Sequence, residues 1–310
     1  MAYYLGIDGG GTKTRCVLGD ETTVLATTTT GGSNIIRLGE KQAREALHAV
    51  VHHVCATAGI SPDQIHAICI GVAGASIPEI AAKIRGTLIE LMPQINLTHI
   101  EVAGDNVIAL EAAFGAGPGV IAIAGTGSLV YGRDAAGRTA RAGGWGFAIS
   151  DEGSGHWIGR RAISAILRAR DQGLETALAA MVLHAWKLAT IDELVQQANS
   201  TPPPDFPHLF PIVLHAAEEG DGLARDLLAE AGAELADLAT AVVRRLAPHP
   251  SMERTATGVL PVAMTGSVFR QSAEVRQVFC NTLQTAFPGI NVRQELADPV
   301  EGALARARRM

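Results

Sequence analysis

The apolar positions near the start of the chain form two short runs that flank a cluster of glycines. Residues 4–7 and 14–18 are mostly apolar, and residues 8–13 between them read Asp-Gly-Gly-Gly-Thr-Lys. Short apolar runs bounded by glycines are typical of strands joined by a turn. The pattern therefore predicts a β-hairpin with a glycine-rich tip, followed by a third strand at the β-branched residues 24–30.

Farther along, the apolar positions change to helical spacing. Residues 40–58 repeat apolar side chains with the period of a helix, and Gly59 ends the run. The patterns that follow predict alternating strands and helices, namely a strand at 65–70, a helix at 78–91, a strand at 100–103 and a helix at 107–114. The first half therefore predicts the order β-β-β-α-β-α-β-α.

The second half opens with an echo of the first, at an offset of 116 residues. Residues 4–12 and 120–128 each place an apolar strand ahead of a glycine-rich tip that ends in Thr or Ser. Glycine turns often resemble one another by chance, so the echo alone leaves duplication and coincidence both open. The later patterns predict alanine-rich helices at 152–169, 181–199 and 211–246, a strand at 260–264 and a final helix at 300–309.

Composition and charge narrow the class of protein. A chain of 310 residues that is 47% hydrophobic is large enough for two domain cores. With 25 basic and 31 acidic residues, the net charge of −6 gives no broad basic surface for nucleic acid. The four cysteines lack C-x-x-C spacing, which argues against a zinc site or a disulfide framework.

Neither the N-terminus nor the longest uncharged stretch predicts export or membrane insertion. The N-terminus has no basic leader and meets an acid at Asp8, so we expect no secretory signal and a cytoplasmic location. The longest uncharged stretch, residues 112–132, is interrupted by Pro118 and six glycines. It predicts buried strands and turns and no membrane contact.

Three small-residue turns after strands are candidates for binding a polyphosphate. They are residues 9–12, 125–128 and 265–267. Glycines allow close backbone approach, and free N–H groups with Thr or Ser hydroxyls donate to phosphate oxygens. Thr12 stands where a Walker A loop needs glycine, so that motif is excluded. A purely structural tight turn remains the alternative for each.

Two aspartates end predicted strands, and each has two interpretations. Asp8 precedes the first glycine tip, where a carboxylate could hold Mg²⁺ through water, or it is a plain turn residue. Asp105 lies between a strand and a helix, so it is a general base or a helix N-cap.

Residues 143–155 combine five glycines, Trp145 and the adjacent acids Asp151 and Glu152. Glycines let the backbone approach a ligand, carboxylates accept hydrogen bonds from hydroxyls, and an indole covers apolar C–H surface, which together favour a sugar. The alternative is that the two acids merely open the next helix, which leaves the glycines and Trp145 unexplained.

These motifs together resemble the actin-like ATPase superfamily, and within it the N-acetylglucosamine kinase branch that includes bacterial glucosamine kinases. The resemblance covers essentially the whole chain. Residues 8–14 and 125–128 look like the two phosphate motifs, and residues 266–268 look like the adenosine motif. Its most specific part is Gly-Gly-Trp-Gly at 143–146 with Asp-Glu-Gly-Ser at 151–154. Ser150 departs from the glycine more usual before the acid pair.

The resemblance implies an α/β fold of the duplicated ribonuclease H-like type, with two domains and ATP in the interdomain cleft. The N-terminal domain would be residues 1–116, joined by the C-terminal helix 299–310. Residues 117–298 would form the C-terminal domain, with helical insertions. A homodimer is also implied.

The resemblance further implies an ATP-dependent kinase that phosphorylates N-acetylglucosamine at the 6-hydroxyl, with Asp105 as general base. D-glucosamine is the alternative substrate, and an ATPase that activates a radical dehydratase or reductase is the alternative of another class. Asp8 would hold Mg²⁺ through water. The sugar ligands would be Asn34, Trp145 and Asp151, and the ATP ligands Gly10, Gly11, Thr12, Lys13, Thr126, Gly127, Ser128, Gly266 and Ser267.

Overall fold

A computed structural model describes residues 2–247 and 259–310. The chain divides into two units. The first unit ends at Ile121 and is completed by Ala297–Met310, and the second unit is Ala122–Leu296. Each unit contains one β-sheet and several helices.

The sheet of the first unit contains five strands, which are β1 (Tyr3–Gly9), β2 (Lys13–Gly19), β3 (Val24–Gly31), β4 (Ile65–Val72) and β5 (Ile100–Ala103). Their order across the sheet is β3-β2-β1-β4-β5. The first three strands pair antiparallel, and β4 and β5 continue the sheet in parallel with β1. The predicted hairpin with its glycine tip is β1 and β2.

The helices that follow in this unit are α1 (Ile35–Leu38), α2 (Glu40–Ala58), α3 (Pro78–Leu91) and α4 (Asp105–Phe114). The apolar face of α2 packs on the central strands and forms one core with them. Its members include Leu47, Val50, Val51 and Val54 of α2 with Leu5, Ile7, Ile68 and Ile70 of the strands. The strands β1 and β4 are buried along most of their length, as parallel central strands usually are.

The second sheet contains four strands among the described residues, which are β6 (Gly119–Ala124), β7 (Ser128–Arg133), β8 (Thr139–Gly143) and β9 (Val262–Thr265). The boundary between the units falls within β6, and the other three strands belong to the second unit. Their order is β8-β7-β6-β9, which repeats the β3-β2-β1-β4 part of the first sheet. A parallel bridge between Val262 and Val292 occupies the place of the fifth strand. The repeated strand order favours duplication over chance as the origin of the sequence echo.

The second unit also contains the helices α5 (Gly155–Asp171), α6 (Ala177–Trp186), α7 (Ile191–Ala198), α8 (Phe210–Glu218), α9 (Gly222–Leu246), α10 (Ser267–Gln271) and α11 (Ala273–Ala286). The single helices predicted at 181–199 and 211–246 are each two helices. Lys187 adopts a left-handed conformation and Thr190 caps α7, whereas Gly220 is left-handed and Asp221 caps α9. Capping side chains and positive φ angles end helices even where the apolar period continues.

The last helix, α12 (Pro299–Ala307), belongs to the first unit. A Cβ on Gly6 of β1 would lie 2.8 Å from the Leu304 Cα, and a Cβ on Gly302 would lie 2.6 Å from the Ala112 nitrogen of α4. Glycines therefore let α12 touch both β1 and α4 at backbone distance. Arg306 adds an ion pair with Glu101, whose oxygens accept from Nε at 3.0 and 3.1 Å.

No helix among the described residues has both the length and the apolar content needed to span a membrane. The uncharged residues 112–132 form the end of α4, all of β6 and most of β7, as the sequence predicts.

Candidate functional site

The glycine turn between β1 and β2 is fixed by hydrogen bonds on both sides. The Gly10 N–H donates to the Lys13 carbonyl at 3.0 Å, and the Gly10 carbonyl accepts from the Ser33 N–H at 3.1 Å. A Cβ on Gly32 would lie 2.6 Å from the Gly11 carbonyl oxygen. The turn that carries Gly10, Gly11, Thr12 and Lys13 is therefore packed directly on the loop that follows β3.

That loop carries Asn34, the first predicted sugar ligand. Asn34 caps α1, and its Oδ1 accepts from the N–H groups of Ile36 and Arg37 at 2.9 and 3.2 Å. The neighbouring Ser33 hydroxyl accepts from Thr14 Oγ1 of β2 at 2.8 Å in a buried position. The structure thus keeps Asn34 beside the glycine turn, and the amide NH₂ is the part of its side chain that can donate to a ligand.

Asp105 is the first residue of α4, directly after β5. The N-cap interpretation is wrong, because Gly104 occupies the N-cap position. Asp105 Oδ1 accepts from the Asn106 N–H at 2.9 Å. Burial raises the pKa of Asp105, although this hydrogen bond opposes the rise. The second oxygen, Oδ2, is the candidate proton acceptor.

Asp8 shares its surroundings with two further acids. Burial, followed by the negative charges of Asp105 and Asp298, raises the pKa of Asp8 to about 7, although Arg15 and Lys13 oppose the rise. Asp8 lies opposite Arg15 in the β1–β2 register. Arg15 Nη1 donates to both carboxylate oxygens of Asp298, at 2.6 and 2.8 Å. Sequence reasoning missed Asp298, which directly precedes the proline that opens α12.

The donor set fits a magnesium ion that is held mainly by water and phosphate. Among the described residues, no group of three or more acids, histidines or cysteines could hold a metal by itself. Mg²⁺ commonly keeps several waters and uses one or two carboxylates plus the phosphates of its substrate. Asp8, near the end of β1 and next to the glycine turn, fits that limited role.

The raised pKa of Asp8 predicts how the stability of the ligand-free protein changes with pH. The folded state holds the Asp8 proton more tightly than the unfolded chain, so this contribution is complete below the unfolded pKa of 3.8 and is lost as pH rises to about 7. The loss is at most about 1.4 kcal/mol per pH unit. The Asp8→Asn variant lacks this titration. Its free energy of unfolding, measured with urea and compared with that of the wild type, should therefore increase between about pH 5 and about pH 7.5. An unchanged difference at the two pH values would contradict this.

The glycine turn of the second unit lies between β6 and β7 and contacts the start of α5 and the segment after β9. Its carbonyls at Gly125 and Thr126 accept from the N–H groups of Gly155 and His156 at 2.8 and 3.2 Å. A Cβ on Gly266 would lie 2.5 Å from the Ala124 carbonyl carbon, and Ser267 Oγ would be 3.9 Å from a Cβ on Gly125. The structure thus brings together Thr126, Gly127, Ser128, Gly266 and Ser267.

Asp151 joins this turn and lies ahead of α5. Its side chain is buried, and Oδ2 would be 2.9 Å from a Cβ on Gly127. The interpretation that Asp151 and Glu152 open the helix is wrong, because Ser154 is the cap of α5. Burial raises the pKa of Asp151. Asp151 has a φ of 69°, so it takes the left-handed conformation, and Ser150 has no positive φ.

Trp145 has different neighbours. Its side chain is 65% exposed, and the Arg141 guanidinium carbon lies 4.3 Å from the centre of its ring. The described contacts therefore place Asp151 against the 125–128 turn, while Trp145 stacks with Arg141.

A small cavity lies within residues 147–160, which include the end of the glycine-rich segment and the start of α5. Its volume is about 160 Å³, and its lining combines apolar and charged side chains, which are Phe147, Ala148, Ile149, Ser150, Glu152, His156, Trp157 and Arg160. Ser150 Oγ donates to Glu152 Oε2 at 2.9 Å. Sequence reasoning missed His156 and Arg160, because nothing in the helix pattern of α5 distinguishes them from surface residues.

Two sheets of repeated strand order, each with a glycine turn after its first strand, are the arrangement of the actin-like ATPase fold. A family model described as the BadF/BadG/BcrA/BcrD ATPase family matches residues 5–307, and the chain belongs to this family. The predicted α/β fold class, duplicated and ribonuclease H-like, is confirmed.

Similar proteins match over nearly the whole chain. The chain is 33% identical to the N-acetylmuramic acid/N-acetylglucosamine kinase of Clostridium acetobutylicum, with 99% of each protein covered. It is 27% identical to the N-acetyl-D-glucosamine kinase of Dictyostelium discoideum, covering 97% of this chain and 96% of that protein. A solved structure from Chromobacterium violaceum, provisionally named an N-acetylglucosamine kinase, is 29% identical with a TM-score of 0.75 and 99% coverage of both chains. The chain is therefore a phosphotransferase with an alcohol group as acceptor.

Proposed function

We propose that this protein is an ATP-dependent amino-sugar kinase that phosphorylates N-acetyl-D-glucosamine at the 6-hydroxyl, with Asp105 as general base. The observation that carries the proposal is the position of Asp105. Its carboxylate has a raised pKa and lies close enough to Asp8, at the first phosphate turn, for the two charges to interact. The kinase relatives support the amino sugar as acceptor.

In this mechanism Asp105 orients the sugar hydroxyl and accepts its proton on Oδ2. The hydroxyl oxygen forms a bond to the γ-phosphorus as the bond from that phosphorus to the bridging oxygen of ADP breaks. The products are the sugar 6-phosphate and ADP, and the proton rests on Asp105 until it passes to solvent. Oδ1 keeps the Asn106 N–H, which holds the carboxylate in one orientation. Phosphoryl transfer depends mostly on such positioning and on charge stabilisation.

The glycine turns would hold the phosphates of ATP. In the first unit the donors would be Gly10, Gly11, Thr12 and Lys13, and in the second Thr126, Gly127 and Ser128, with Gly266 and Ser267 toward the adenosine. A magnesium ion near Asp8, when bound, would supply positive charge to the phosphates. Each turn is fixed by its own hydrogen bonds, so its donors need little rearrangement when the nucleotide binds.

The sugar would be held by Asn34, Trp145 and Asp151. The Asn34 amide can donate to a sugar oxygen, the Asp151 carboxylate can accept from hydroxyls, and the exposed indole can cover the apolar C–H face. D-glucosamine remains the alternative acceptor, since its free ammonium differs from the acetamide only at the 2-position. The homodimer and the cytoplasmic location remain predictions.

A second candidate acceptor is N-acetylmuramic acid, which carries a lactyl carboxylate on its 3-oxygen. The cavity at residues 147–160 favours it, because Arg160 and His156 line the cavity and Phe147 adds an apolar wall. A guanidinium pairs well with a carboxylate. The Clostridium acetobutylicum relative is named for both sugars.

The radical-enzyme activator is less well supported. Such an ATPase holds an iron–sulfur cluster with accessible thiolates shared by two subunits, whereas Cys16, Cys55, Cys69 and Cys280 are all buried. Burial raises the pKa of Cys69 and that of Cys55, which disfavours the thiolate form that a cluster needs.

The test is ADP release from Mg-ATP with N-acetylglucosamine, glucosamine, N-acetylmuramic acid, glucose or no sugar. We expect N-acetylglucosamine to stimulate release most, and phosphorus NMR of the product to show a 6-phosphate. If N-acetylmuramic acid is also used, Arg160→Gln should raise its KM about tenfold and leave that of N-acetylglucosamine unchanged. Arg168→Gln, an exposed position on the same helix, is the control. Equal ADP release in every well would overturn the kinase proposal.

A further inference from the structure

An arginine that no motif contains lies on the first phosphate turn. Arg37 belongs to α1, and its side chain extends over Gly11. A Cβ on Gly11 would be 3.2 Å from Arg37 Cδ and 3.3 Å from Arg37 Nη1. The guanidinium therefore lies within van der Waals distance of the turn that we propose to hold the phosphates of ATP.

The backbone fixes this placement. Arg37 N–H donates to Asn34 Oδ1 at 3.2 Å, so α1 and the Asn34 cap are one hydrogen-bonded unit. Ser33 N–H ties the start of the same loop to the Gly10 carbonyl. A Cβ on Gly32 would also lie 2.8 Å from Leu38 Cδ1, which packs α1 on the glycines. The backbone of Arg37 is therefore held in a fixed position relative to the glycine turn.

The negative charge around the turn means that a second cation would help to bind ATP there. Asp8 and Asp105 put negative charge at this end of the sheet, and ATP would add several more negative charges. Arg15, the nearest arginine on the strands, already donates to both carboxylate oxygens of Asp298. Arg37 is exposed and carries a planar fork of N–H donors that matches phosphate oxygens.

We propose that Arg37 binds the terminal phosphate of the nucleotide together with Lys13. Its N–H groups donate to oxygens of the transferring phosphoryl group and stabilise the charge that develops on them as the bond to ADP breaks. The proposal rests on the proposed function in taking ATP as the phosphate donor. It adds a phosphate ligand on α1, directly after the residue that would hold the sugar.

The placement predicts a selective effect on the terminal phosphate. Arg37→Gln removes the charge and keeps much of the side-chain length, so it should weaken binding of a non-hydrolysable ATP analogue about tenfold and leave ADP binding within about twofold. The kcat for sugar phosphorylation should fall about tenfold to a hundredfold, with the KM for the sugar unchanged. Arg37→Lys keeps the charge and loses the planar arrangement of N–H donors. Its affinity for the ATP analogue and its kcat should therefore lie between those of the wild type and of Arg37→Gln.

The control is Arg44→Gln on α2. Arg44 is also exposed and charged, but its guanidinium pairs with Glu90 at 2.7 Å, away from the turn. Calorimetric titration of ADP and of the ATP analogue, both with Mg²⁺, should show no change for this variant. Thermal unfolding of each variant shows whether the substitution alters the fold.

Three results would overturn the inference. A raised KM for the sugar with unchanged analogue binding would make Arg37 a sugar ligand. Equal loss of ADP and analogue binding with a lowered Tm would make it a packing residue, and unchanged binding and turnover would give it no role. The nucleotide titrations need no sugar, so they remain informative if no amino sugar stimulates the wild-type protein and the proposed function fails.

Discussion

Replacing Asp105 with asparagine is expected to lower the kcat for sugar phosphorylation about a hundred- to ten-thousand-fold. Asparagine has nearly the same shape, and its Oδ1 can still accept the Asn106 N–H that fixes the aspartate. It cannot take a proton from the sugar hydroxyl, so the loss should fall on turnover. The dissociation constants of the sugar and of ATP, measured by titration, should stay within about threefold of wild type.

The exposed Asp63 in the turn before β4 provides a matched control, since Asp63→Asn makes the same change away from the site. The pH profile gives an independent check. Burial raises the pKa of Asp105, so kcat/KM should decline with falling pH at a higher pH than an ordinary aspartate would give. Near-normal turnover in Asp105→Asn would remove Asp105 as the base.

Replacing Gly302 with alanine is expected to cause a large loss of stability. The added Cβ would collide with the Ile108 carbonyl oxygen and lie 2.6 Å from the Ala112 nitrogen. Both atoms are backbone of α4, so neither can move aside without shifting the helix. Overpacking of this kind costs about 1–3 kcal/mol, and more where backbone atoms must shift. The Tm should fall by several degrees, with faster amide exchange in β1 and α4.

Gly86→Ala in α3 is the control for this substitution. An added Cβ there meets no atom within 4 Å, and the position is in the interior of a helix. Alanine should therefore stabilise the protein by about 0.5–1 kcal/mol. The same chemical change thus has opposite expected signs at the two positions. A Gly302→Ala protein as stable as wild type would show that α12 and α4 can separate at no cost.

Much of the fold is readable from the sequence because its signals are local. The glycine tip between two apolar runs predicted the β1–β2 hairpin, and the echo at 116 residues predicted a strand, a glycine turn and a further strand at β6 and β7. The sequence patterns gave wrong helix boundaries where a capping or left-handed residue ends a helix although the apolar period continues. Lys187 and Gly220 have positive φ angles that end a helix, although the apolar spacing on either side remains helical. One left-handed residue does not change the apolar period, so the period could not predict it. The helices α10 and α11 were not predicted.

The candidate site divides in a similar way. Residues adjacent in sequence, such as those of the two glycine turns, could be grouped from the motif alone. Asp298 could not, because it meets Arg15 across 283 positions of chain. Arg37 could not either, since only the packing of α1 on Gly11 brings it to the turn. Trp145 and Asp151 share a motif, and the sequence could not show that their described contacts differ.

The place of α12 has a consequence for how the protein is made. The helix covers Cys69, Ala103 and Ile108 of the first unit, yet the ribosome reaches it only after the whole second unit. At ordinary elongation rates the uncovered apolar face waits on the order of ten seconds or more. A nascent chain of this protein therefore exposes, for that time, the apolar surface that Ala303 and Ala307 later cover.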